Sequence, residues 1–118
     1  MNTPITTITV DIGTEQVTLV NVFTVAPERQ IELVEALEEA TSEIFMSVPG
    51  FISANLHTSL DGTRVINYAQ WASEKHYQDA LQRDDVRAHV GKAAAAAAKW
   101  DPTLVRVRSI HRPHSDKA

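Results

Sequence analysis

Read along its length, the chain predicts an α+β domain in the order β-α-β-β-α-β, the split-βαβ pattern of a ferredoxin-like fold. Three observations predict it. Runs rich in alternating or β-branched residues fall at 16–25, 51–71 and 103–110. Stretches with a helical period fall between them, at 27–47 and 74–99. Asp61-Gly62 divides the middle β run into a hairpin. The pattern implies a four-stranded antiparallel sheet with the helices on one face. The opposite face then needs a cover. A second copy is the simplest one, giving a dimeric α/β barrel by sheet-to-sheet packing.

Gln16 to Val25 (QVTLVNVFTV) is the first strand, with Leu19, Asn21 and Phe23 on one face and Val20, Val22 and Thr24 on the other. Pro27 suits a first helical position and Glu28 suits the positive helix N-terminus. Ile31, Val34, Leu37, Ala40, Thr41, Ile44 and Phe45 then follow a helical period to about Ser47, with the glutamates largely elsewhere. Pro49-Gly50 stops that helix. Phe51 to Leu60 and Thr63 to Trp71 form the hairpin, and Asp-Gly favours a two-residue type I′ turn. Ser73 is the expected N-cap of a helix through Tyr77, Ala80 and Leu81. Asp84-Asp85 marks a break, and a second helical piece runs from Val86 to Lys99. Its alanines at 93–98 suit a close-packed helix face or a cavity wall. Thr103 to Ile110 is the last strand, with Arg106 and Arg108 on one face, where pairing with the Glu-rich first helix or a dimer mate is expected. Thr6 to Asp11 fits either a short edge strand or a loose arm.

The organisation expected is an N-terminal arm at 1–15, one domain at 16–111 and a tail at 112–118. With 118 residues, 43% of them hydrophobic and 22% charged, the composition is that of a single globular domain. A net charge of −4 and the lack of a basic stripe argue against nucleic acid as the partner. Cysteine is absent, which excludes disulfides and thiolate chemistry. No apolar run reaches the length of a membrane span and no secretory pattern opens the chain, so a cytoplasmic protein without a membrane partner is expected.

The return strand places an amide and an indole on one face: Val65, Asn67, Ala69 and Trp71 share it. An inward amide costs a few kcal/mol unless paired. Either Asn67 is satisfied by a neighbouring strand end and Trp71 fills core, or the amide orients an oxygen of a flat ligand with the indole against its ring. Strict pairing from a two-residue turn sets Leu56 and Thr58, not His57, on the Asn67 face; a bulge or offset register reverses this. Asn21 is a second inward amide if its face looks toward the helices. Tyr77 lies close enough after Trp71 to lean over the same pocket, or packs in the core. Arg87 and His89 read first as solvated helix residues. His111 and His114 lack a third ligand, so no metal site is expected. No phosphate loop or GxGxxG predicts a nucleotide, flavin or nicotinamide.

PGF at 49–51, His57, DGT at 61–63 and VINYAQW at 65–71 resemble the antibiotic biosynthesis monooxygenase family. The likeness is nearest to its small cofactor-independent polyketide oxygenases, which oxidise anthrones to anthraquinones. The resemblance implies a sheet-to-sheet homodimer, one pocket per subunit between sheet and helices, and O₂ chemistry without flavin, haem or metal. It implies catalytic roles for Asn67, Trp71, His57 and Tyr77. It implies substrate binding by Asn21 and Phe23, and by Arg87 as the nearest match to a later helix arginine. The match to His57 favours a register that turns it inward. The haem-degrading branch needs a helix histidine two to three turns past the Trp; His76 is too near and His89 too far. The function expected is oxidation of a phenolic or anthrone-type aromatic to a quinone. An isomerase or quinol-metabolism enzyme of small metabolites, or a non-catalytic dimeric binding module, is the alternative.

Overall fold

The computed structural model describes residues 7–12 and 14–114, and its elements follow the expected order. Strands β1 (Val17–Thr24), β2 (Phe51–Thr58), β3 (Arg64–Trp71) and β4 (Lys99–Val105) form one antiparallel sheet in the order β2-β3-β1-β4. Helix α1 (Gln30–Glu43) links β1 to β2, and α2 (Glu74–Ala80) and α3 (Asp84–Ala96) link β3 to β4. This is the ferredoxin-like arrangement. Among the described residues no helix is long and apolar enough to cross a membrane.

Local sequence explains the helix limits. Pro27 opens a single 3₁₀ turn, Pro27–Arg29, before α1, and a second, Phe45–Ser47, follows it. The helical stretch therefore fills its predicted span with both ends wound tighter than the middle. Gln30, at the start of α1, is buried and ties the helix to the hairpin end. Its Nε2 donates to the Ser59 carbonyl at 3.1 Å and the Arg64 carbonyl at 2.9 Å. The Ser73 hydroxyl accepts from the His76 backbone N–H at 3.2 Å, the expected cap of α2.

The hairpin turn differs from expectation in type but not in register. Gly62 alone has positive φ, +80°, so the turn is not type I′. The Gly62 N–H donates to the Ser59 carbonyl at 3.1 Å. The Asp61 carboxylate, accepting from Ser59 Oγ at 2.8 Å, Thr63 N–H at 3.0 Å and Thr63 Oγ1 at 2.7 Å, holds the loop. Leu56 pairs with Asn67 and Thr58 with Val65, as strict counting requires.

The C-terminal boundaries shift. Helix α3 stops at Ala96 rather than Lys99, and β4 covers 99–105 rather than 103–110. Trp100, Pro102 and Leu104 alternate onto the β1 face that carries Phe23, Asn21 and Leu19. Pro102, which lacks an N–H, is accommodated because β4 is an edge strand. Arg106 and Arg108 thus lie past the strand and take part in none of the ion pairs among the described residues. Glu39 of α1 is bridged instead by Lys92 of α3 at 3.2 Å. Of the segment Thr6 to Asp11, Thr6 lies outside the described residues and 7–11 form no strand. The arm is nonetheless pinned, because the Thr9 carbonyl accepts from Gln70 Nε2 at 2.7 Å.

Candidate active site

The sheet face beneath the helices is built by two facing rows. Val17, Leu19, Asn21 and Phe23 of β1 stand opposite Trp71, Ala69, Asn67 and Val65 of β3. The two amides are therefore direct cross-strand partners. The apolar members on either side of that pair belong to separate core clusters. Val17, Ala69 and Trp71 pack with Val48, Ala80 and Val86; Phe23 and Val65 pack with Val25, Leu33, Ala93 and Ala96. The amide row lies between the two, and a cavity of about 270 Å³ opens above it. Its walls come from the sheet, from α1 (Leu37, Ala40, Thr41) and from α2 and α3. Ala93 and Ala94 supply a wall without bulk, so the alanine run serves as core and cavity lining at once. Val90 and Trp100, 44% and 48% exposed, flank the mouth.

Trp71 is 2% exposed and is fixed by three aromatic neighbours. Its ring centroid lies 5.4 Å from Phe51, 5.9 Å from Tyr77 and 6.2 Å from Phe45, with interplanar angles of 77°, 66° and 77°. These are edge-to-face contacts, the favoured aromatic geometry. Phe51 reaches this cluster because the β2–β3 register shifts between Phe51 and Ser53.

The floor of the cavity carries unused polar capacity. The side-chain oxygens of Asn21 and Asn67 and the indole Nε1 of Trp71 are buried with no hydrogen-bond partner in the protein. The two amides therefore do not satisfy each other, although they face each other across the strands. No neighbouring strand end satisfies the Asn67 oxygen. Tyr77 lines the same cavity, and burial pushes its phenol above the ordinary tyrosine range.

Asn67, Trp71, Tyr77, Asn21 and Phe23 thus come together around one cavity. His57 does not join them. It is exposed and pairs with Ile66, on the sheet face turned away from the helices. The bulge in β2 lies upstream of it and reorients Phe51, not His57. Arg87 is also exposed and does not line the cavity: it stands beside buried Val86 at the start of α3, about 100° around the helix. The lining residue that sequence reasoning set aside is His89. Its signal was the spacing Val86, His89, Ala93, which is one helix face whose two ends are buried.

The model of the family described as "Antibiotic biosynthesis monooxygenase" matches residues 16–92. Tetracenomycin-F1 monooxygenase of Streptomyces glaucescens is 47% identical over 96 residues, spanning 81% of this chain and 73% of that protein. The structure of a monooxygenase from the gene ActVA-Orf6 of Streptomyces coelicolor, in complex with nanaomycin D, superposes with a TM-score of 0.70 at 30% identity. It covers 86% of this chain and 94% of its own. A mutant form of SnoaB, a cofactor-independent oxygenase from Streptomyces nogalater, shares the fold. Its TM-score is 0.72 at 24% identity, over 82% of this chain and 97% of its own. The residues carrying the sequence resemblance, the sheet order and these matches agree: the chain belongs to the antibiotic biosynthesis monooxygenase family.

Proposed function

We propose that this chain is a monooxygenase that uses O₂, without metal, haem or flavin, to oxidise a phenolic or anthrone-type polycyclic aromatic to a quinone. The observation that carries the reading is a mostly apolar cavity lined by Asn21, Asn67 and Trp71, each of which holds a buried polar atom with no partner in the protein. Each unsatisfied group costs about 1–3 kcal/mol, a cost relieved by a flat apolar ligand whose phenolic hydroxyls donate to the amide oxygens and accept from the indole N–H. At about 270 Å³, just under the ~300–1,000 Å³ usual for small-molecule pockets, the cavity exceeds the needs of a few-carbon metabolite. The relatives named for tetracenomycin F1 and solved with nanaomycin D support the reaction class.

In this mechanism the Asn67 and Asn21 side chains hydrogen-bond the ring oxygens, their Oδ1 atoms accepting from substrate hydroxyls, and the Asn67 Nδ2 group donates to the oxyanion that forms when the substrate loses a proton. The electron-rich enolate gives one electron to O₂, and the radical pair recombines to a carbon-bound peroxide. Loss of water then leaves the second carbonyl. Trp71, held rigid by its aromatic neighbours, positions the ring and shields the radical pair from solvent. Tyr77, whose phenol burial pushes above the ordinary tyrosine range, stays protonated and steadies the developing peroxide with a hydrogen bond. The half-covered outer sheet face, with Val20, Val22, Ile66 and Tyr68, is assigned to sheet-to-sheet contact with a second copy. The test mixes metal-stripped protein with 1,8-dihydroxyanthrone in air and under nitrogen and follows quinone absorbance. Protein- and oxygen-dependent quinone is expected, with Asn67→Ala losing about 10²–10³-fold in turnover while still binding. A rate no faster than the spontaneous one would remove the proposal.

A further inference from the structure

We infer that His89 is the group that takes the substrate's proton, which makes it a catalytic residue of this cavity. The inference rests on the oxidative reading for the substrate class but not for the proton transfer itself. Of the cavity-lining side chains among the described residues, only Tyr77 and His89 ionise; no carboxylate, lysine or arginine reaches the lining. Asn21, Asn67 and Trp71 have no proton-accepting form at neutral pH. Tyr77 is a donor there, since burial disfavours its phenolate. Imidazole is the side chain that exchanges protons between pH 5 and 8 without perturbation.

Position agrees with the role. His89 is half-buried, three residues after Val86 and four before Ala93, both at the core. The other histidines are engaged or elsewhere. His76 Nδ1 lies 2.7 Å from Ser73 Oγ, His111 Nε2 lies 3.0 Å from Ser109 Oγ, His57 is on the far sheet face, and His114 is exposed in the tail. No such bond holds the His89 ring among the described residues. The charges around it are committed to one another: Asp85, one turn earlier, to Arg83 at 2.9 Å, and Lys92 to Glu39 of α1 at 3.2 Å. From α2 only Tyr77 faces the cavity as an ionisable group; from α1 and β4 the lining is Leu37, Ala40, Thr41, Trp100 and Pro102, none of which ionises. Lys99 and Asp101 point to the other face of β4, and Arg87 is at the surface.

The step balances without an outside reductant. A lone pair of the imidazole takes a proton from the ring methylene, leaving an enolate. O₂ accepts one electron from it, and recombination forms a C–O bond and a peroxide anion. The imidazolium returns the proton to give a hydroperoxide. The remaining hydrogen on that carbon leaves as a proton, its bonding pair forms the C=O, the O–O bond breaks, and hydroxide departs as water. The substrate is oxidised by four electrons and O₂ is reduced to one carbonyl oxygen and one water.

The experiment mixes 1,8-dihydroxyanthrone with wild type, His89→Gln and His89→Ala, under nitrogen to read the visible enolate and in air to read quinone. Wild type is expected to form bound enolate under nitrogen. In His89→Gln both enolate and quinone rates fall about 10²–10⁴-fold. The falling limb of wild-type activity at acid pH disappears with the side chain, and imidazole in the buffer restores His89→Ala. Enolate and quinone formation in His89→Gln at wild-type rates would overturn the inference and leave the oxygenase reading standing. His89-dependent enolate with no quinone in air would overturn the oxygenase reading and keep the proton acceptor. No enolate in wild type would overturn the inference, and no quinone above the spontaneous rate besides would overturn both.

Discussion

Replacing Asn67 by Leu should make the protein more stable and less active. The two side chains have nearly the same shape, so the substitution chiefly exchanges an amide for methyl groups. The Asn67 oxygen is buried with no partner, and leaving such a group unsatisfied costs about 1–3 kcal/mol. Asn21 loses nothing, because its own side-chain oxygen accepts no bond from Asn67. Overpacking is avoided by the adjoining cavity of about 270 Å³. The net expectation is a gain of about 1–2 kcal/mol, which at about 4 °C per kcal/mol for a chain of this length raises Tm by roughly 4–8 °C. Urea unfolding at fixed protein concentration, followed by tryptophan fluorescence, measures it. Quinone formation measured on the same sample should fall about 10²–10³-fold, as for loss of an oxyanion donor. A loss of stability greater than about 1 kcal/mol would refute the reasoning, because it would mean that the amide is satisfied within the fold.

Further outcomes follow from other sites. Gly50 has φ of +85°, and an added Cβ would run into the His76 ring, so Gly50→Ala should cost at least about 1–3 kcal/mol in chemical denaturation. Hydrogen bonds from the Thr63 hydroxyl and N–H and the Ser59 hydroxyl hold the Asp61 carboxyl at about 2, below its ordinary 3.8. A depressed carboxyl stabilises above its unfolded value and loses that contribution as pH falls through its folded value. The stability difference between wild type and Asp61→Asn should therefore be full above pH 5, shrink below pH 4 and vanish near pH 2, as thermal melts across that range would show. Ala94→Leu adds three carbons to the cavity wall; it should raise KM for an anthrone at least tenfold with little change in Tm, a split that steady-state kinetics and calorimetry read separately.

Much of this was legible in the chain. The alternating runs and the 3.6-residue period locate β1, β2, β3, α1 and α2 and the order of all the elements, because burial on one side imposes those periods. The inward amide and indole were legible for the same reason. What the sequence left open depended on contacts made at a distance. The turn type at Asp61 was set by hydroxyls of Ser59 and Thr63 rather than by the Asp-Gly pair itself. The His57 face followed from a bulge at Ile52 lying on the wrong side to reorient it. The end of α3 and the start of β4 were misread because Pro102 breaks a central strand but not an edge one, and position in the sheet is not written locally. His89 was passed over since a lone polar residue on a helix reads as solvated until the neighbouring elements show which face is inward.

The amide row has a further consequence. It divides the interior into two packed blocks, one around Trp71 and one around Leu33, with the cavity between them. An aromatic guest in that position becomes a shared packing partner of both blocks, so occupancy and folding cooperativity are linked. By mass action a ligand at a hundred times its dissociation constant adds about 2.7 kcal/mol of stability. Amide exchange in the two blocks should become more nearly concerted as the guest binds. The melting temperature is thus itself a reporter of the site, and a thermal-shift screen of flat, oxygen-bearing aromatics can rank substrates before any of them is turned over.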